Sequence, residues 1–219
     1  MPRLLFSKTG DAVWISHLDL MRLFQRAFKR AGLPLKHSQG FTPRPMVSIA
    51  MPLSVGVESM CELLDFDLDG AEAAPEEICR RLNETLVSGV EALQVYETGR
   101  KIKELSLLRC TVTLEYDAGV TDECLNAVAE LFCRESVCVM KKGKNGPTEQ
   151  DIIPMIRALE AVRVDGNCLE LRAVVCAQNP SLNPMLLAAA VERYLPEYQP
   201  DFARCRREEL MDAKEVIFR

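Results

Sequence analysis

The chain has 219 residues, 48% of them hydrophobic and 27% charged, with a formal net charge of −5; it can bury a full core and lies between one domain and two. No apolar run approaches the roughly eighteen residues of a membrane-spanning helix, and the opening segment lacks the apolar stretch of a secretory signal. A membrane or secreted protein is therefore excluded in favour of a cytoplasmic one, whose N-terminus begins the fold.

Leu4–Ser7 reads as a first strand after Pro2. Trp14 and Ile15 lead into a helix with Ser16 as N-cap; Asp19, three residues on, places a carboxylate at the positive helix end. The helix runs to about Ala31 and stops at Gly32, with Pro34 beyond. At about 100° per residue, Leu20, Phe24, Ala27, Phe28 and Ala31 share one arc, and Arg22, Arg26, Lys29 and Arg30 fall opposite with Asp19. One face enters the core and the other presents four cations.

Leu33–Pro45 contains Pro34, Gly40, Pro43 and Pro45, which predict an ordered surface loop rather than a hairpin. The prolines fix the path from Ser38 to Pro52. Met46–Met51 is a strand, 52–56 a turn, and Cys61–Leu68 alternates as a second strand. Pro75 opens a helix carrying Ile78, Leu82 and Leu86, and Val90–Tyr96 is a strand. The order so far is β-α-β-β-α-β.

Periodicity breaks at Glu97-Thr98-Gly99-Arg100-Lys101, and the pattern begins again. Leu105–Tyr116 alternates as a strand, 121–134 is a helix with Leu125, Val128, Ala129 and Phe132, and Val137–Met140 is a strand. Lys141–Gln150 reads as a polar mobile loop. Ile152–Val164 and Cys168–Cys176 form a hairpin turning at Asp165-Gly166-Asn167. Ser181 or Asn183 caps a helix through Tyr194, and Pro196 and Pro200 lead to a last strand. The second half repeats the first in element order, with an extended middle. The predicted fold is α+β, two ferredoxin-like (βαββαβ) lobes in tandem over 1–100 and 101–219.

Nine cysteines, an odd and scattered set, form no C-x-x-C pair and match no zinc or iron–sulfur pattern. Most sit in apolar runs such as Leu131-Phe132-Cys133 and Val137-Cys138-Val139. They read as buried reduced thiols acting as small hydrophobes, without metal, cofactor or disulfide.

Charge is uneven. Residues 1–50 carry eight Lys or Arg (Arg3, Lys8, Arg22, Arg26, Lys29, Arg30, Lys36 and Arg44) against two acids, net +6; the remaining 169 residues carry 19 basic and 30 acidic groups, net −11. An acidic protein with one concentrated basic region can bind a polyanion there. The ordinary reading of a charged helix face is a solvated surface. Here the stripe is nearly single-signed and rich in Arg, and a basic loop with Lys36, His37, Phe41 and Arg44 follows. Arg suits bidentate phosphate contacts, and Phe41 either stacks a base or plugs the core. Nucleic acid is the expected anion.

No P-loop, G-x-G-x-x-G, nucleophile elbow or H-E-x-x-H occurs, so no named catalytic motif supports an enzyme. Both histidines, His17 and His37, lie in the basic segment and are the candidate acid–base pair for RNA cleavage through the 2′-hydroxyl. Against this, His17 faces the core arc, where a packed, hydrogen-bonded imidazole is the ordinary outcome, and His37 lies exposed in the loop.

The strings Phe6-Ser7-Lys8-Thr9-Gly10, Ser16-His17-Leu18-Asp19-Leu20-Met21-Arg22, Arg26-Ala27 and Arg30-Ala31-Gly32-Leu33-Pro34 resemble the radical SAM-linked protein family, bacterial domain of unknown function 2344. Ser38-Gln39-Gly40-Phe41-Thr42-Pro43-Arg44-Pro45 and 50–59 continue the likeness. The resemblance implies a protein fused to, or encoded near, a radical SAM enzyme; it supplies no activity. The chain lacks the C-x-x-x-C-x-x-C loop of such enzymes, so it would be the linked partner. Paired lobes of this kind also resemble CRISPR-type RNA-processing proteins and pseudouridine synthases, at the level of fold. The expectation is a noncatalytic RNA-binding or substrate-presenting partner of a radical SAM enzyme, in tRNA or rRNA modification. The alternatives are an RNA-processing nuclease using His17 or His37, and a protein-interaction module without RNA binding.

Overall fold

The computed structural model describes residues 2–70, 73–143 and 146–219. The chain divides into two compact units, Met1–Ile102 with Arg219 and Lys103–Phe218. Each is a mixed α+β unit.

In the first unit, β1 (Pro2–Lys8), α1 (His17–Arg30), β2 (Val47–Ile49), β3 (Val57–Phe66), α2 (Pro75–Asn83) and β4 (Val90–Glu97) follow in order. The strands run β4-β1-β3, with β2 also on β3, and every pair is antiparallel. Leu4 lies opposite Leu64 on one side and Val95 on the other. The apolar arc of α1 closes on this sheet. Phe24 meets Phe6 edge-on with centroids 4.7 Å apart, and Phe28 meets Phe66 at 5.0 Å. Ile78 and Leu82 of α2 complete the cluster.

Both ends of α1 are locally specified. The Ser16 hydroxyl oxygen accepts from the Asp19 N–H at 3.2 Å, and the same hydroxyl donates to Asp19 Oδ2 at 2.8 Å. At the other end, Gly32 N–H donates to Lys29 O and Leu33 N–H to Phe28 O. This is the Schellman arrangement, with Gly32 at φ +63°. A Cβ there would also stand 2.7 Å from Arg81 Nη2, which donates to the Ala31 and Gly32 carbonyls. Gly32→Ala is therefore expected to cost about 1–2 kcal/mol in chemical denaturation. A neutral result would show that this helix end is not held in the left-handed turn.

Two of the cations counted in the basic segment are internal. Arg3 is 2% exposed and its Nε lies 2.6 Å from Asp65 Oδ1. Lys8 is fully buried, and its ammonium donates to the Val13 and Ile15 carbonyls at 3.0 and 2.9 Å. It thereby holds a 3-10 turn over Gly10–Trp14, which the sequence had folded into the approach to α1. The surface cations of the segment are thus those from Arg22 onward.

In the second unit, β5 (Leu105–Glu115), α3 (Asp122–Leu131), β6 (Cys138–Gly143), β7 (Gly146–Asp151), β8 (Ile156–Arg163), β9 (Cys168–Cys176), α4 (Met185–Tyr194) and β10 (Phe202–Asp212) follow. Their sheet order is β10-β5-β9-β8, antiparallel throughout, with β6-β7 as a separate two-stranded ribbon. That ribbon corrects the expected loop at Lys141–Gln150: the segment is largely paired, Met140 standing opposite Glu149 and Lys141 opposite Thr148. Pro147 is compatible with pairing because such a ribbon leaves outward edges where a missing N–H costs nothing. Lys144 and Asn145 lie outside the described residues.

Smaller corrections follow the same register logic. The buried stripe of α3 is Cys124, Val128 and Leu131: of the expected Leu125, Val128, Ala129 and Phe132, Val128 is buried and the other three are only half-buried. The N-cap position of α4 is Pro184, while Asn183 Oδ1 accepts from the Met185 N–H at 3.2 Å. At the β8–β9 turn, Asp165 Oδ1 accepts from the Asn167 and Cys168 N–H groups, each at 2.8 Å.

The cysteines divide. Cys61, Cys110, Cys124 and Cys205 are buried, but Cys133 is exposed and Cys138 half-buried. Cys133 lies just beyond the end of α3, and the alternation that turns Val137 and Val139 inward turns Cys138 outward. All nine are free thiols. Among the described residues no helix is long and apolar enough to cross a membrane, and no three His, Cys, Asp or Glu side chains converge as a metal site.

Candidate nucleic-acid interface

Helical periodicity divides the surface of α1. Leu20, Phe24, Ala27, Phe28 and Ala31 are buried, while Arg22, Arg26, Lys29 and Arg30 are exposed. The four cations are not equivalent. Arg22 Nη1 lies 3.0 Å from Asp19 Oδ1. The Ser16 hydroxyl, followed by Arg22, holds the Asp19 carboxyl below its ordinary pKa. Arg30 Nη2 donates to the Thr85 carbonyl at 2.7 Å. Among the described residues, the side chains of Arg26 and Lys29 have neither a hydrogen bond nor an ion pair.

The segment after α1, expected as a surface loop rather than a hairpin, folds back on itself as an arm through one isolated antiparallel bridge, without regular strands. Met46 N–H donates to Lys36 O at 2.7 Å and Ser38 N–H to Arg44 O at 2.9 Å. His37 pairs with Pro45 across the arm. The Ser38 hydroxyl accepts from Arg44 N–H at 3.0 Å, which closes the tip. At its base, Lys36 N–H donates to Asp67 O and Asp67 N–H to Met46 O, which ties the arm to the end of β3. Lys36 Nζ also lies 3.4 Å from Asp67 Oδ2. Lys36 is exposed and Asp67 half-buried, and Arg22 and Asp19 are both exposed, so solvent screens both pairs and neither holds its cation tightly. Phe41 stands fully exposed at the tip and does not plug the core. The Arg44 side chain is exposed beside it in sequence.

Between α1 and the arm lies a groove of about 530 Å³. Helix α1 contributes Gln25, Arg26 and Lys29. The turn after it contributes Gly32, Pro34 and Leu35, and the arm contributes His37 and Pro45. Of the residues singled out from the sequence, the groove gathers Arg26, Lys29 and His37; Arg22, Arg30, Lys36, Phe41 and Arg44 lie outside its lining. His17 is half-buried elsewhere, its Nδ1 enclosed with no hydrogen-bond partner among the described residues. Its imidazole is packed as expected but not hydrogen-bonded at that nitrogen, and it does not share the groove with His37.

Sequence reasoning missed Gln25, Gly32, Pro34, Leu35 and Pro45 as lining residues. The available signal was weak: Gln25 adjoins Arg26 on the helix, and the two prolines bracket the arm. Arg81 carried no signal at all, because its carbonyl partners lie about fifty positions back, at Ala31 and Gly32.

Solved structures resemble the whole chain in fold. A chain of a Cbf5-Nop10-Gar1 complex matches with a TM-score of 0.55 at 8% identity, over 95% of this chain and 48% of that one. A chain of an H/ACA RNP bound to a substrate RNA containing 2′-deoxyuridine matches with a TM-score of 0.51 at 8% identity, over 94% and 46%. The chain therefore spans about half the length of these structures. No curated protein matches it. Residues 2–184 match the model of an uncharacterized protein conserved in bacteria, domain of unknown function 2344, and the chain belongs to that family.

Proposed function

We propose that the chain is a noncatalytic RNA-binding or substrate-presenting partner of a radical SAM enzyme, acting in the cytoplasm on tRNA or rRNA. The observation that carries the RNA half is the groove in which Arg26 and Lys29, without a hydrogen bond or ion pair among the described residues, share the lining with His37 of an arm tipped by the exposed Phe41. Cations hold phosphates and an exposed ring stacks a base, which is how sequence-tolerant single-strand binders work. The fold shared with a chain of an RNA-bound H/ACA RNP supports this choice of polyanion. The radical SAM half rests on the family resemblance of Phe6 to Ser59. We further read both units as ferredoxin-like: β4-β1-β3 with β2 on β3, and β10-β5-β9-β8, are the same order once the β6-β7 ribbon is set aside as an insertion.

The test is the double variant Arg26→Ala/Lys29→Ala, titrated with a short single-stranded RNA across a salt series. Both side chains are exposed, so stability should stay within about 0.5 kcal/mol. Affinity should fall, and the salt slope should become shallower by about 1.4, or about 0.7 per lost single-strand phosphate contact. Unchanged affinity and slope would take RNA off this face. Mass spectrometry of proteins that co-purify with the chain from cells addresses the partner. If the double variant loses a radical SAM enzyme from that complex but keeps RNA, the face is a protein dock.

A further inference from the structure

We infer that the groove between α1 and the arm receives a single unpaired nucleotide of an RNA strand, base inside and phosphate at the rim, an inference that rests on the RNA reading above. Its volume of about 530 Å³ lies in the range of about 300–1,000 Å³ typical of small-ligand pockets. Pro34, Leu35 and Pro45 give it rigid apolar surface suited to a flat ring. Gln25 brings both an amide donor and a carbonyl acceptor, which is what the edge of a base requires. Arg26 and Lys29 supply the phosphate contacts. None of the described lining residues is acidic, in a chain with 32 acidic residues, so the local charge complements an anion that the molecule as a whole repels.

The end of α1 beside this groove would ordinarily oppose a phosphate, because helix C-termini carry partial negative charge. Here that end is already answered: the Arg81 guanidinium donates to the Ala31 and Gly32 carbonyls, and the Thr85 hydroxyl to the Ala27 carbonyl at 3.2 Å. Arg26 and Lys29 are left to the ligand. Phe41 is four residues from His37, so it lies within about 14 Å of the groove. That reach lets its ring stack a neighbouring base of the same strand. A base-paired strand cannot enter, because the base must leave its stack to fill the pocket.

The experiment compares a short oligouridylate, the same oligomer with abasic riboses, and a fully paired hairpin, using wild type, Gln25→Trp and Gln25→Ala. Gln25→Trp fills the groove but keeps both cations. It should weaken oligouridylate binding about tenfold, leaving the salt slope and the affinity for the abasic strand unchanged. Gln25→Ala, which removes only the amide, should weaken it about threefold and guards against misfolding of the bulky variant. Wild type should bind the hairpin no better than the abasic strand. If both Gln25 variants bind oligouridylate as wild type does, while Arg26→Ala/Lys29→Ala does not, RNA binding stands and the nucleotide pocket falls. If wild type binds none of the three RNAs, the RNA reading falls with it. Free uridine monophosphate bound as tightly as the oligomer would mark a free-nucleotide site and overturn the strand assignment.

Discussion

Replacing Phe24 with alanine is expected to destabilise the N-terminal unit by about 3–5 kcal/mol. The ring is fully buried, its edge meets Phe6 of β1 at 4.7 Å, and it lies in the cluster that joins α1 to the sheet. Removing it leaves a cavity between helix and strand that α1, capped at both ends, cannot easily close. That is a large part of a typical domain stability of about 5–15 kcal/mol. Arg26 is two residues along the same helix, on the opposite face, and its removal together with Lys29 should cost almost nothing. The contrast is the useful measurement, because it separates the face that folds from the face proposed to bind. The single tryptophan, Trp14, lies in this unit and can report its unfolding in urea. A fall in midpoint at constant slope is the expected result for Phe24→Ala. A loss below about 1 kcal/mol would mean that α1 is not anchored through this ring.

Much of α1 was legible because its signals are local. Ser16, Gly32 and a 3.6-residue stripe each act within one or two turns, and the structure uses all three. The strands of the first unit were legible for the same reason, although β3 begins at Val57 rather than Cys61 and buries both Leu63 and Leu64. What the sequence hid were pairings across long separations. Arg3 counted as a surface cation until Asp65, 62 residues on, became its partner. Lys8 is consumed by carbonyls that any residue could have offered. The groove was hidden too: Arg26 and His37 line it together because the arm folds back through Lys36 and Met46 bonds to Asp67. At Lys141–Gln150 the Gly and Pro content signalled a loop, and edge pairing outweighed it. Local composition reports turn chemistry; it does not report whether a neighbouring strand is within reach.

Raising the pH is expected to unfold the C-terminal unit through its buried thiols and phenols, Cys205 foremost. Cys205 lies in β10 opposite Val112, 2% exposed, and burial pushes its thiol from 9.0 up to about 12, with Glu208 adding to the shift and Arg207 opposing it. Burial likewise raises the Tyr116 phenol and the Cys124 thiol. The folded pKa exceeds the unfolded one, so below about pH 9 both states hold the proton and stability is intact. Above that the unfolded thiol ionises while the folded one does not, and stability falls until the folded group titrates near pH 12. Cys205 by itself accounts for a loss on the order of 4 kcal/mol across that window. Urea midpoints followed by circular dichroism should be flat between about pH 7 and 8 and decline beyond about pH 9. Cys205→Val keeps an apolar β-former of similar size and removes the titration; it should change stability at pH 7 by less than about 1.5 kcal/mol and make the alkaline decline visibly shallower. Iodoacetamide at neutral pH should modify the exposed Cys133 well before Cys205. An alkaline decline as steep in Cys205→Val as in wild type would assign the loss to other groups.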